Sequence, residues 1–185
     1  MKRVGVLAGA FNPLTKAHLA LADAARGLVD EVTFVVPRTY PHKEFHGAAF
    51  LDRIEMLRLA AGNHRIEVTD GGLFIEIARE LRQPDTEVQF ICGRDAAERI
   101  IEWDYGEPGA IEKMLDEFSL LIADRGGEYE APAYLRHRIH RLDLNGDWTD
   151  VSSTEVRRRI AAGESWEHLV PAAIVGHVKR IYAAA

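Results

Sequence analysis

The sequence predicts an α/β fold: a mostly parallel sheet of about five or six strands, flanked by helices, with a small helical portion at the C-terminus. Three observations carry this expectation. Short apolar, β-branched runs recur along the chain, segments with helical spacing of apolar residues lie between them, and glycines or prolines punctuate the junctions. No internal repeat or low-complexity linker divides the 185 residues. One domain over 1–185 is therefore expected, with 151–185 as its C-terminal helical part.

Residues 4–7 form a short apolar run with Gly5 inside it and Gly9 just beyond, and residues 32–36 are mostly β-branched and end at Pro37, so both read as buried strands. Between them, residues 18–28 place Leu19, Ala22, Ala25 and Arg26 at helical spacings, with alanines that favour close packing. Together they make a β-α-β unit with a right-handed crossover. Residues 38–47 lack any secondary-structure period and mix aromatic with basic and titratable side chains, as a functional loop does. A helix over 50–61 follows, with Leu51, Ile54, Met56 and Leu57 facing inward. Then come a strand over 65–69, a helix over 73–81 stopped by Pro84, and a strong strand over 87–92. That strand runs through Gly93-Arg94-Asp95 into a helix over 96–101, and residues 118–123 supply a further strand. The basic run 136–141 and residues 142–150 have a different character. Ser152 and Glu155 have the spacing of a capping box, which starts a basic helix over 156–162. A last helix over 171–182 opens on Pro171.

Composition excludes several function classes. Cys92 is the one cysteine, so there is no internal disulfide framework and no cysteine cluster for zinc or iron–sulfur, and the cytosol is the expected compartment. The first apolar run is interrupted at Asn12-Pro13, short of a signal helix, and no later run reaches the roughly eighteen residues of a membrane span. With 23 Lys+Arg against 29 Asp+Glu, a net charge of −6 argues against coating nucleic acid, although a small anion answers only to a local field. His42/His46 and His137/His140 lack a carboxylate at matching ligand spacing, so no metal site is expected, and Cys92 at a strand end reads as core.

Three clusters can receive an anion. The first strand exits into Gly9–His18, which departs from Gly-x-Gly-x-x-Gly and lacks Gly-Lys-Ser/Thr, weakening dinucleotide-redox and P-loop readings. Instead, Thr15 and His18 stand three residues apart at a helix opening, where a hydroxyl, an imidazole and unpaired N–H groups converge on a phosphate. Ser152, Ser153, Thr154 and Arg157 repeat the combination, with a cation in a first turn whose dipole opposes it unless an anion is present. The third cluster, His42-Lys43, follows Pro41 near the carboxyl edge of the sheet. Each has a plain structural alternative: a helix cap for Ser152, a solvated face for Arg157–Arg159, a carbonyl partner for His18, simple exposure for His42 and Lys43. Three such clusters at strand exits and helix starts together favour a phosphate site.

Gly9-x-Phe11-Asn12-Pro13-x-Thr15-x-x-His18, paired with Ser152-Ser153-Thr154-x-x-Arg157, resembles the nicotinamide/nicotinate mononucleotide adenylyltransferases of the HxGH-type nucleotidyltransferase superfamily. Val36-Pro37 with Pro41-His42-Lys43, Ile91-Cys92-Gly93-Arg94-Asp95 with Trp103, and Ala123-Asp124-Arg125-Gly126 fall between them in the order the bacterial enzymes show. The resemblance spans nearly the whole chain, and the two end motifs together are its specific part.

It implies a Rossmann-like nucleotidyltransferase fold and transfer of the adenylyl group of ATP to the 5′-phosphate of a pyridine mononucleotide, in line and without a covalent intermediate, releasing pyrophosphate. In similar enzymes the positions of His18, Thr15 and Arg157 are catalytic. ATP contacts are implied for Gly9, Ala10, Phe11 and His18, for Gly93 and the ribose-binding Asp95, and for Ser152, Ser153, Thr154 and Arg157 at the triphosphate. Asn12, Lys43, Trp103 and Arg125 are implied for the acceptor, although Trp103 equally reads as packing its own helix. Mg²⁺ would ride on phosphates and water, with no protein cage. The partners implied are ATP and a pyridine mononucleotide, with no nucleic acid and no membrane; a homo-oligomer is admitted but not specified.

The chain departs from the usual bacterial pattern at Thr15, where that pattern has His, and at Ala17, where it has Gly. It departs again at Asp70-Gly71-Gly72-Leu73-Phe74, where nicotinate-specific enzymes have a Ser-Tyr-Thr type, which bears on the acceptor base. A pantetheine-type phosphate acceptor and a nucleotide-binding module without turnover stand as alternatives. Nucleic-acid binding through 136–141 and 157–159 is disfavoured by the acidic total and the lack of interleaved aromatics.

Overall fold

Among the described residues six strands make one sheet: β1 (Lys2–Ala8), β2 (Glu31–Pro37), β3 (Arg65–Thr69), β4 (Thr86–Gly93), β5 (Ser119–Ala123) and β6 (Ile139–Leu142). In the computed structural model, which describes residues 1–41, 46–124 and 129–183, they lie in the order β3-β2-β1-β4-β5-β6. Every neighbouring pair is parallel, as the crossover helices require. Those helices are α1 (Lys16–Ala25), α2 (Phe50–Ala60), α3 (Phe74–Glu80), α4 (Arg94–Glu102) and α5 (Ala110–Leu115), and the chain finishes with α6 (Ser153–Ala162) and α7 (Val175–Tyr182).

Strands covered on both faces have no polar side to alternate with, which is why β1, β2, β4 and β5 read as continuous apolar runs. Successive side chains still point to opposite faces. Phe34 and Val36 of β2 enter the layer shared with α1, α2, α6 and α7, while Val35 between them enters the layer with α3 and α5. Phe74, Phe90 and Phe118 form a ring cluster in the second layer, with centroids 4.0 Å apart for the first pair and 5.0 Å for Phe90 and Phe118. Val156 and Val178 carry the C-terminal helices onto the face that also receives α1.

The strand order places the functional region. The chain leaves β1 toward β2 and β3, then returns to place β4 on the other side of β1, so the winding direction reverses between β1 and β4. Crevices at such switch points, beyond the carboxyl ends of the strands, are where open α/β sheets bind ligands. Val6 pairs with Phe90, and the same register carried three residues on sets Gly9 level with Gly93.

Several sequence expectations need correction. Leu51 does not face inward: it is 76% exposed, and Arg53 takes the inward position beside Ile54, Met56 and Leu57. In α1 the buried stripe is Ala17, Leu21, Ala22 and Ala25, and Arg26 is the exposed C-cap. The basic run 136–141 contributes a strand, β6, that its pattern concealed, because exposed His140 and Arg141 stand between the buried Ile139 and Leu142. Helix α5 was not anticipated. The expected helix over 171–182 is a 3₁₀ turn, Ala172–Ile174, followed by α7, with Pro171 capping the turn.

Candidate active site

Gly9 extends the sheet by one bond, its N–H donating to the Val35 carbonyl at 3.0 Å, and the chain then turns into the 10–15 loop. Phe11 makes that turn with φ at +48°, a left-handed conformation uncommon outside glycine. Its buried ring packs 5.5 Å from Phe34 and meets the His18 imidazole edge-on at 5.1 Å. Thr15 is the N-cap of α1, and its backbone N–H donates to Nδ1 of His18 at 2.9 Å, with the Thr15 hydroxyl also 2.9 Å from that nitrogen. A backbone N–H can only donate, so Nδ1 is an acceptor and the neutral ring carries its hydrogen on Nε2. His18 thus occupies the place of the carboxylate in a capping box, and helix start and tautomer are set by one bond.

The C-terminal motif lies against this loop. Ser153 donates its hydroxyl to the Pro13 carbonyl at 2.7 Å, and Arg157 donates from Nη1 to the Asn12 carbonyl at 2.5 Å and from Nη2 to the Thr154 hydroxyl at 3.4 Å. Ser152 caps α6 by accepting the Glu155 N–H at 3.0 Å, which is half of the expected box. The Glu155 carboxylate does not complete it. Arg158 and Arg159 donate to that carboxylate at 2.8 and 2.7 Å and hold its pKa at about 2. The solvated face therefore describes Arg158 and Arg159, while Arg157 turns to the loop.

Across the switch point, Gly93 caps α4 with open space where a Cβ would project, and Asp95 lies exposed in the first turn. Trp103 closes the same helix at its C-cap and is 44% exposed, about 12 Å along the axis from Asp95 by helical rise. The structure thus brings together Gly9, Ala10, Phe11, Asn12, Thr15, His18 and the Ser152–Arg157 cluster, sets Gly93 at the end of β4 with Asp95 in the first turn of α4, and leaves Trp103 a helix length away. His42, Lys43 and Arg125 lie outside the described residues. Cys92 is core, as read: burial pushes its thiol up to about 12, far from a reactive thiolate.

Two residues missed in the sequence hold the loop. Arg53, 3% exposed, donates to the Ala10 carbonyl at 2.8 Å and to the Tyr40 hydroxyl at 2.7 Å, and its guanidinium lies 5.3 Å from the Phe50 ring centroid. Its helical spacing to Met56 and Leu57 was the available signal that it points inward. Tyr182, near the end of α7, donates its hydroxyl to Oδ1 of Asn12 at 2.5 Å. Nothing in its own segment announces that, because the partner is 170 positions away. Among the described residues no group of three or more His, Cys, Asp or Glu is placed to hold a metal, and no helix is long and apolar enough to cross a membrane.

The Cytidylyltransferase-like family model matches residues 6–159. A probable nicotinate-nucleotide adenylyltransferase of Citrifermentans bemidjiense is 35% identical over 214 aligned positions, covering 97% of this chain and 98% of its own. The chain belongs to the nicotinate/nicotinamide-nucleotide adenylyltransferase family. A further adenylyltransferase of that name, from Herpetosiphon aurantiacus, is 30% identical with 96% of both chains covered. The Plasmodium falciparum nicotinic acid mononucleotide adenylyltransferase complexed with APC superposes with a TM-score of 0.75 over 97% of this chain and 96% of its own. At 18% identity that likeness is one of fold, and it extends the adenylyltransferase architecture over the C-terminal helices as well as the sheet.

Proposed function

We propose that this enzyme transfers the adenylyl group of Mg–ATP to the 5′-phosphate of nicotinate mononucleotide, forming the dinucleotide of NAD biosynthesis and releasing pyrophosphate. The observation that carries the proposal is the joining of Ser153 and Arg157 to the carbonyls of Pro13 and Asn12 at the exit of β1. That contact sets two helix starts, an arginine fork and an imidazole around one crevice, an arrangement suited to a polyphosphate. The acid rather than the amide is favoured by the names of the relatives.

An oxygen of the acceptor phosphate attacks the α-phosphorus, and the bond from that phosphorus to the oxygen bridging to the β-phosphorus breaks, so pyrophosphate leaves. No protein nucleophile is needed, and the protein's work is alignment and stabilisation of charge. In this proposal His18 donates from Nε2 to the oxygens gaining charge, with Thr15 holding the ring. Arg157 and the N–H groups and hydroxyls of Ser152, Ser153 and Thr154 take the leaving phosphates. Gly9, Ala10, Phe11 and Gly93 leave room for the adenosine, and Asp95 accepts from the ribose hydroxyls. Lys43, Arg125 and Trp103 belong to the acceptor end; Asn12, expected there too, has its buried amide taken up by His46, Ala48 and Tyr182, and shapes the loop instead. Mg²⁺ would arrive on the triphosphate as part of the substrate, held by phosphate oxygens and water.

The C-terminal part, 151–185, then completes the phosphate site through Ser152, Ser153, Thr154 and Arg157, and 1–185 acts as one domain. A chain whose sole thiol is buried suits the reducing cytosol, where we place the enzyme. The test is pyrophosphate release from Mg–ATP with nicotinate mononucleotide, nicotinamide mononucleotide or phosphopantetheine. Turnover is expected with the pyridine mononucleotides and fastest with the acid, and turnover with phosphopantetheine alone would reject the proposal.

A further inference from the structure

The Asn12 side chain is 4% exposed and enclosed by three segments. Nδ2 donates to the His46 carbonyl at 2.8 Å, and Oδ1 accepts both the Ala48 N–H at 3.1 Å and the Tyr182 hydroxyl at 2.5 Å. Gly47, with φ at +138°, passes directly over this amide, and a Cβ there would run into it. The amide therefore fastens the 10–15 loop to the residues that end the connection between β2 and α2, while its backbone carbonyl holds Arg157.

We propose that Tyr182 is a positioning residue for adenylyl transfer, its hydroxyl orienting the Asn12 amide so that the 10–15 loop and residues 46–48 are held in one arrangement. The inference rests on the adenylyl-transfer function proposed above. An amide can be turned end for end with little change of shape; the Ala48 N–H on Oδ1 and the His46 carbonyl on Nδ2 decide which way it faces, and the Tyr182 hydroxyl adds the bond that steadies it there. Flipped, it would set its NH₂ against the Ala48 N–H and its oxygen against the His46 carbonyl, so the tyrosine hydroxyl meets Oδ1 and donates to it. Tyr182 is suited to act as a constant donor, because burial raises its phenol and keeps the proton in place across the working range. Its helix carries it there by packing: Ile174 and Val178 are fully buried in the layer that receives α1 and α2. The last turn of the chain thereby reaches the loop that leaves the first strand.

The test compares Tyr182→Phe, which removes only the hydroxyl, with Val178→Ala, which loosens the same helix without touching Asn12. For Tyr182→Phe, kcat with nicotinate mononucleotide is expected to fall about fivefold to tenfold, the scale of one hydrogen bond, while the Kd for Mg–ATP stays within about twofold. Val178→Ala is expected to lower Tm more and to keep wild-type kcat per folded molecule. Against an Asn12→Ser background, Tyr182→Phe should cause no further loss. Hydrogen exchange gives a readout independent of turnover: peptides covering 10–15 and 46–49 should exchange faster in Tyr182→Phe, with the strands unchanged. Wild-type kcat in Tyr182→Phe, an equal kcat loss in Val178→Ala, additive losses with Asn12→Ser, or unaltered exchange at both segments would each overturn the proposal. Faster exchange in a protein whose wild type releases no pyrophosphate would leave Tyr182 as the fastener and reject the proposed reaction instead.

Discussion

Arg157 donates from Nη1 to the carbonyl of Asn12 at 2.5 Å, closing 145 positions of chain into one contact. The same guanidinium reaches the Thr154 hydroxyl at 3.4 Å, so its planar fork spans a bond to the 10–15 loop and a bond to the first turn of α6. A lysine is a point charge on a flexible stem and cannot keep both. Arg157→Lys is expected to weaken Mg–ATP binding by about tenfold or more, the scale of a hydrogen bond to a charged group, as read by calorimetry. Unchanged affinity would remove Arg157 from the phosphate site.

His18 is expected to act at the transition state more than in ground-state binding. His18→Ala should lower kcat about 100-fold to 1,000-fold, as loss of one preorganised donor does, with Kd for Mg–ATP changed about threefold or less. The tautomer depends on the backbone N–H of Thr15, not on its hydroxyl. Thr15→Val should accordingly keep the hydrogen on Nε2, which ¹⁵N chemical shifts of the imidazole report. A switch of tautomer in that variant would show that the hydroxyl is the determinant.

The course of the sheet was legible because its central strands are apolar on both faces, and residues 65–69 were placed to the residue. The edge strand β6 was not, since its two outward residues are His140 and Arg141 and its two buried ones stand three apart, a spacing with no period of two. The same limit governed the site. Thr15, His18, Ser152 and Arg157, which the structure brings to one end of the sheet, could be singled out because each sits at a local signal, a strand exit or a helix start. Arg53 and Tyr182 make their contacts with residues far away in sequence, and neither residue type at its own position distinguishes a surface side chain from a clamp. Leu51, expected inside, is exposed and Arg53 is buried in α2: the Ala10 carbonyl takes its donor from Arg53, and hydrophobicity alone does not register that need.

Removal of that donor is expected to be felt in both stability and turnover. Arg53→Met fills a similar volume but leaves the buried Ala10 carbonyl and Tyr40 hydroxyl without it, at about 1–3 kcal/mol. Urea unfolding should show the lower midpoint, and kcat/KM should fall as the loop after Gly9 loosens. A wild-type midpoint would mean that another group satisfies the Ala10 carbonyl.

Stability should also carry the signature of His64. Its side chain is 9% exposed, lies against Phe34 at 5.5 Å and has Nε2 3.1 Å from the Arg26 guanidinium. Burial first, and the Arg26 charge second, hold its pKa below the ordinary value, against the opposing pull of Asp23 and of the Val32 backbone. The folded state thus keeps His64 neutral where the unfolded chain already binds a proton. Its contribution is complete above about pH 6.5 and is lost as pH falls from there through the folded pKa. Melting curves between about pH 7.5 and pH 5.5 should show a steeper fall in Tm for wild type than for His64→Gln. Parallel falls would assign the acid sensitivity to other groups.

The most direct test of adenylyl transfer at the joined ends of the chain follows the label of [α-³²P]ATP in the presence of Mg²⁺ and nicotinate mononucleotide, for wild type and His18→Ala. Label should appear in the dinucleotide with wild type, at a rate lowered by two to three orders of magnitude in the variant, and none should remain on the protein. Label held covalently by the protein, or an equal rate in the variant, would contradict direct transfer at His18.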